Sequence, residues 1–107
     1  MISKIRKIQE ILKTVSDNVW HYEAMKKDGN YIVWAEDAEG SRISADNKKS
    51  EYSIQGTIDY FTKEDMDPMV DRIYNALRED GIAFYLNSVQ YEDETGYIHY
   101  EYVWEVS

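Results

Sequence analysis

Two His-x-Glu steps, His21/Glu23 and His99/Glu101, carry the residue types most able to do chemistry in this chain. In a strand, residues two apart point to the same side, so each step offers an imidazole and a carboxylate together. Were the two strands neighbours, four ligands could converge on a divalent cation. The plainer account is two wet strand faces, and no residue pattern makes those strands adjacent. A second concentration of carboxylates, Asp59, Glu64, Asp65, Asp67 and Asp71, surrounds the segment near residue 65. An acid/base pair of the glycosidase kind needs two carboxyls held across a cleft, one with a raised pKa. Here capping and a solvated helix face account for most of them. The serines lie in no Gly-x-Ser-x-Gly elbow, and no glycine-rich phosphate loop is present. The sequence therefore offers no catalytic residues, no cofactor site and no metal site beyond the histidine steps.

The elements that position these residues follow from apolar spacing. Ile2, Ile5, Ile8, Ile11, Leu12 and Val15 recur at three and four, one stripe of a helix that Ser16-Asp17-Asn18 ends. Residues 18–25 alternate, with Trp20, Tyr22 and Ala24 against Val19, His21 and Glu23. Lys26-Lys27-Asp28-Gly29-Asn30 reads as a hairpin turn, and Tyr31 to Ala35 as the partner strand. Residues 36–50 turn polar, with Ile43 their one isolated large apolar residue, and predict a long loop. That composition predicts weak packing in the isolated protein and order on assembly.

Tyr52, Ile54, Gly56, Ile58 and Tyr60 give the cleanest period-two signal in the chain. Thr62 and Asp65 have capping-box spacing. Met66, Met69, Val70, Ile73 and Leu77 form a second helical stripe, which Pro68 pushes to begin near Asp67 and Gly81 closes. Residues 82–91 and 97–106 read as a hairpin around Glu92-Asp93-Glu94-Thr95-Gly96. The order is α-β-β-β-α-β-β: an α+β fold with a largely antiparallel sheet and two helices packed on one face.

The 107 residues suit a single domain, 1–107, and 43% apolar content is too high for disorder. Without cysteine there is no disulfide framework and no thiolate zinc site. No apolar run approaches the roughly 20 residues that span a bilayer, so a soluble protein of the cytoplasm is expected. A net charge of −9 disfavours nucleic acid as a ligand and suits a basic protein partner or simple solubility. The charge is polarised. Lys4, Arg6, Lys7 and Lys13 lie on the first helix, whereas Glu92, Asp93, Glu94, Glu101 and Glu105 follow Tyr91 with no Lys or Arg among them. Ten tyrosines and three tryptophans exceed what a small core needs. Strand alternation sets Tyr85, Tyr91 and Tyr97 opposite Phe84, Leu86 and Ile98, and these three tyrosines are the candidate interface residues.

The run Tyr60-Phe61-Thr62-Lys63-Glu64-Asp65-Met66-Asp67-Pro68, followed by Val70-Asp71-Arg72-Ile73, resembles small phage and prophage proteins. So does Asn87-Ser88-Val89-Gln90-Tyr91-Glu92-Asp93-Glu94-Thr95-Gly96-Tyr97-Ile98-His99-Tyr100. Together they resemble the tail terminator, or tail completion, proteins of long-tailed phages. The resemblance implies a non-enzymatic ring subunit, commonly in a hexamer, that caps the tail tube and joins it to the head. Tail-tube and head-connector proteins are then its partners. Its place is the virion tail, after the host cytoplasm, with no membrane and no sequence-specific nucleic acid. An acidic immunity protein that blocks a basic bacterial toxin fits the composition as an alternative.

Overall fold

The structure, a computed structural model, describes residues 1–40 and 52–107. Helix α1 spans Ile2–Lys13 and buries Ile5, Ile8, Ile11 and Leu12, the stripe read from the sequence. Ile2 stays exposed at its start. Thr14 closes the helix by donating its hydroxyl to the Ile11 carbonyl at 2.6 Å. The Ser16 hydroxyl accepts from the Asn18 amide at 3.1 Å and turns the chain into the sheet.

The expected first hairpin is not formed. Strand β1 is only Val19–His21, and it pairs parallel to β2, Tyr31–Gly40. Tyr22 has a left-handed φ of +73°, which takes the chain out of the strand just after His21. Residues 22–30 then return to the start of β1. Asn18 pins that return, its side-chain amide donating to the Asp28 carbonyl at 3.3 Å and the Asn30 carbonyl at 2.9 Å. Gly29 does adopt a positive φ, as the Asp-Gly pair predicts, but within this wide loop. Strand β2 also runs beyond Ala35 through Gly40, so residues 36–40 are strand rather than loop. The ladder continues past a bulge between Glu36 and Ala38. The rest of the long polar segment, 41–50, lies outside the described residues.

Strand β3, Ser53–Thr62, pairs antiparallel with β2 on one side and with β5, Tyr97–Val106, on the other. Among the described residues strand β4, Ala83–Glu92, pairs with β5 alone, giving the order β1-β2-β3-β5-β4. The register stacks Ile32, Tyr60 and Tyr100 in one cross-strand row, Trp34, Ile58 and Tyr102 in the next. These side chains meet α1 and α2, Met69–Glu79, in one core with Ile73 and Leu77. Both helices therefore lie on one face, α1 towards β1 and α2 towards β4. Among the described residues nothing covers the other face, apart from a small cluster of Ala24, Tyr31 and Tyr97 beneath the 22–30 loop.

The start of α2 is fixed by Asp67, not by the Thr62/Asp65 pair. Asp67 Oδ1 accepts from the Met69 amide at 2.8 Å. Its Oδ2 accepts from the Tyr60 hydroxyl at 2.6 Å and the Thr62 hydroxyl at 2.7 Å. Thr62 and Tyr60 are inward-facing strand residues, so an anion here ties sheet to helix. Burial pushes the Asp67 carboxyl up, but the bonds from Tyr60, the Met69 amide and Thr62 outweigh it and hold the pKa below the usual carboxylate value. A lowered folded pKa adds stability that is present above the unfolded value and is lost as pH falls through the folded one. Asp67→Ala strands the buried Tyr60 hydroxyl and removes the cap, at a cost of about 2–3 kcal/mol. Thermal melts should show that loss at pH 7 and a smaller one in acid. At the far end Gly81, at φ +71°, completes a Schellman turn: its amide donates to Arg78 and the Ile82 amide to Leu77.

Candidate functional site

The two His-x-Glu steps are not brought together, because β2 and β3 lie between β1 and β5. Each histidine instead takes a carboxylate from the neighbouring strand. His21 Nε2 lies 2.8 Å from Glu36 on β2, and its ring stacks on Trp34 at 3.9 Å. The Tyr22 hydroxyl donates to the other oxygen of the same carboxylate. Burial raises the Glu36 pKa, and the bonds from Tyr22 and His21 more than reverse that, so the group stays anionic. Glu23 is exposed and has no part in the arrangement.

His99 Nε2 lies 2.6 Å from Asp59 on β3, its ring stacked on Phe61 at 4.3 Å. Glu92 stands 3.9 Å from its other nitrogen. The Asp59 hydrogen bond, opposed by burial and assisted by the charges of Asp59, Glu92 and Glu101, raises the His99 pKa. A raised folded pKa contributes stability that is complete below the unfolded value near 6.5 and disappears as pH rises through the folded value. An NMR titration should place His99 above an ordinary histidine, and Asp59→Asn should lower it. Glu101, the partner expected from spacing, accepts from Asn87 at 2.8 Å instead. Among the described residues no group of three His, Asp or Glu side chains is arranged to hold a metal ion.

The described surface includes a pair of hollows. One, of about 250 Å³, lies between α1 and the β1–β2 edge and is lined by Arg6, Gln9, His21 and Trp34 over Ile2 and Ile5. The other, of about 310 Å³, lies on the uncovered sheet face between Gln55, Tyr85 and Glu105. Neither joins a nucleophile to a base.

The three candidate tyrosines separate. Tyr97 lies on the expected face but is 8% exposed, packed edge-on against Tyr31 at 5.5 Å. Its hydroxyl donates to the Lys27 and Gly29 carbonyls, so it holds the 22–30 loop and offers no surface. Tyr85 is 58% exposed on the uncovered face, as expected. Tyr91 is 65% exposed, but on the helix-bearing side. The reason is a bulge between Leu86 and Ser88, which moves the second half of β4 by one residue. Tyr91 consequently pairs with Ile98, and Val89 with Tyr100, in the rows of the core face.

That slip creates a feature the alternation of the sequence conceals. Leu86, Val89 and Tyr91 all point to the helix side, yet α2 covers only the Phe84 end, where Tyr74 meets Phe84 at 5.0 Å. Leu86 and Val89 are therefore exposed rather than core. The polar pair Asn87-Ser88 between two apolar runs is the one signal of the bulge in the sequence. Strand β4 is a ten-residue edge with no Lys or Pro to blunt it and apolar side chains along it. Exposed apolar groups aligned on an edge make β4 the candidate interaction surface.

No protein-family model matches the chain, and no curated protein matches its sequence. No helix among the described residues is long and apolar enough to cross a membrane.

Proposed function

We propose that this protein is a non-enzymatic structural subunit of a phage or prophage tail, forming a ring that terminates the tail tube and joins it to the head. One observation carries the assembly part of the reading: β4, an unpaired edge bearing exposed Tyr85, Leu86, Val89 and Tyr91. A monomer gains nothing from holding three large apolar side chains past the reach of its own helix. A subunit that closes into a ring needs such a surface. The tail part rests on the resemblance of 60–73 and 87–100 to tail terminator proteins, with which the α+β element order agrees. The uncovered sheet face carries Asp59, Glu101 and Glu105, and such a surface turned towards a lumen would repel passing DNA.

The reading predicts that the purified protein binds tubes polymerised from the tail-tube protein encoded beside it. Electron microscopy should show added density at one tip of each tube. Unmodified tips, together with a tight one-to-one complex with a co-encoded basic toxin, would replace this reading with that of an immunity protein.

A further inference from the structure

The two edges of the sheet differ in charge as well as in length. At the β1 edge, α1 presents Arg6, Lys7 and Lys13 to solvent. Among the described residues every close ion pair uses a histidine as its cation, so these three cations pair with none of the described carboxylates. Exposed Met1 and Ile2 add an apolar end to the same helix. At the opposite edge, the apolar row of β4 runs into Glu92-Asp93-Glu94, with Asp93 and Glu94 exposed.

We propose that copies of this chain associate head to tail, with helix α1 of one copy docking against the β4 edge and acidic hairpin tip of the next. This deepens the assembly reading above and rests on it. Two features favour a helix of a second copy over an added strand. First, the bulge between Leu86 and Ser88 interrupts the ladder that an incoming strand would have to follow, whereas a helix needs no backbone bonds from its host. Second, β4 pairing with β4 of another copy in antiparallel fashion would bring Asp93 and Glu94 of each towards the acidic end of α2, Glu79-Asp80, that precedes β4 of the other. Like charges facing one another disfavour that contact. Head-to-tail packing instead sets cation against anion, and the stems of Lys7 and Lys13 can lie along Val89 and Tyr91. Because the two surfaces differ, the contact is heterologous and propagates until it closes.

Charge exchange tests this directly, with mass followed by sedimentation from micromolar to about 1 mM, the range of weak specific contacts. The wild type should rise above its monomer mass of 12.7 kDa with concentration. Arg6→Glu with Lys7→Glu, and separately Asp93→Lys with Glu94→Lys, should each weaken association by more than about tenfold. Mixing the two variants, or combining all four changes in one chain, should restore it. All these side chains are exposed, and circular dichroism reports whether each variant folds. A wild type that stays monomeric throughout overturns the inference, as does an α1 variant that associates undiminished or a mixture that fails to recover. The tail reading is decided separately by tube-tip binding, which a monomer can still show.

Discussion

Ile58→Asp should leave the chain unfolded at 25 °C. Ile58 is fully buried at the centre of β3, opposite Trp34 on one neighbour and Tyr102 on the other, beneath both helices. The substitution removes apolar burial of about 1.5–3 kcal/mol. It also places a carboxylate where no cation or donor waits, and an unpaired buried charge costs several kcal/mol more. A domain of this size holds about 5–15 kcal/mol in total, so the sum reaches the whole stability. Loss of near-ultraviolet dichroism and a collapsed amide spectrum would register the effect. A cooperative melt near the wild-type temperature would show that Ile58 does not sit in the core.

Gly56→Val should come close behind. A Cβ at this position would stand 2.0 Å from the Ala35 carbonyl oxygen and 2.6 Å from the Trp104 ring. The first obstacle is backbone and cannot swing aside. Trp104 is itself held, its indole N–H donating to the Thr57 carbonyl at 2.9 Å. Relief requires β2 and β3 to part just where the register already shifts between Glu36 and Ala38. The cost is expected to exceed about 3 kcal/mol, at the upper end of overpacking penalties. Chemical denaturation should show a lower midpoint for this variant, with most of the loss already present in Gly56→Ala.

The physical origin of Gly56 shows what a sequence can and cannot convey. Alternation across Tyr52 to Tyr60 placed Gly56 on the inner face, and the structure keeps it there. That the space above it is filled by Trp104, far along the chain, is a tertiary fact with no local sign. The same division runs through the molecule. Both helices, β3 and the last hairpin are carried by local periodicity, and local periodicity made them legible. The parallel pairing of β1 was not, because it depends on one left-handed residue, Tyr22, and one side chain, Asn18, bonding across the loop. In the sequence Asp67 is one carboxylate of an acidic cluster; in the structure it is the buried anion that joins Tyr60, Thr62 and α2. Its role depends on two strand residues facing inward, which period-two reading gives, and on the chain doubling back at 63–66, which it does not.

For the candidate surface, composition alone indicated surplus tyrosine, and Tyr85 and Tyr91 do stand exposed. Tyr97 does not, since residues 22–30 form a wide loop, in place of the tight turn that 26–30 predict, and fold over it. Leu86 and Val89 escaped notice for the opposite reason. Alternation sets Leu86 on the core face, and only the bulge, which turns Val89 to that same side, together with the limited reach of α2 leaves both exposed.

The central claim is that this chain completes a phage tail. Removing its gene from the phage or prophage that carries it, then imaging the lysate by negative-stain electron microscopy, tests that claim most directly. The account predicts filled heads without attached tails, and tails of abnormal length. Normal virions in that lysate would contradict it.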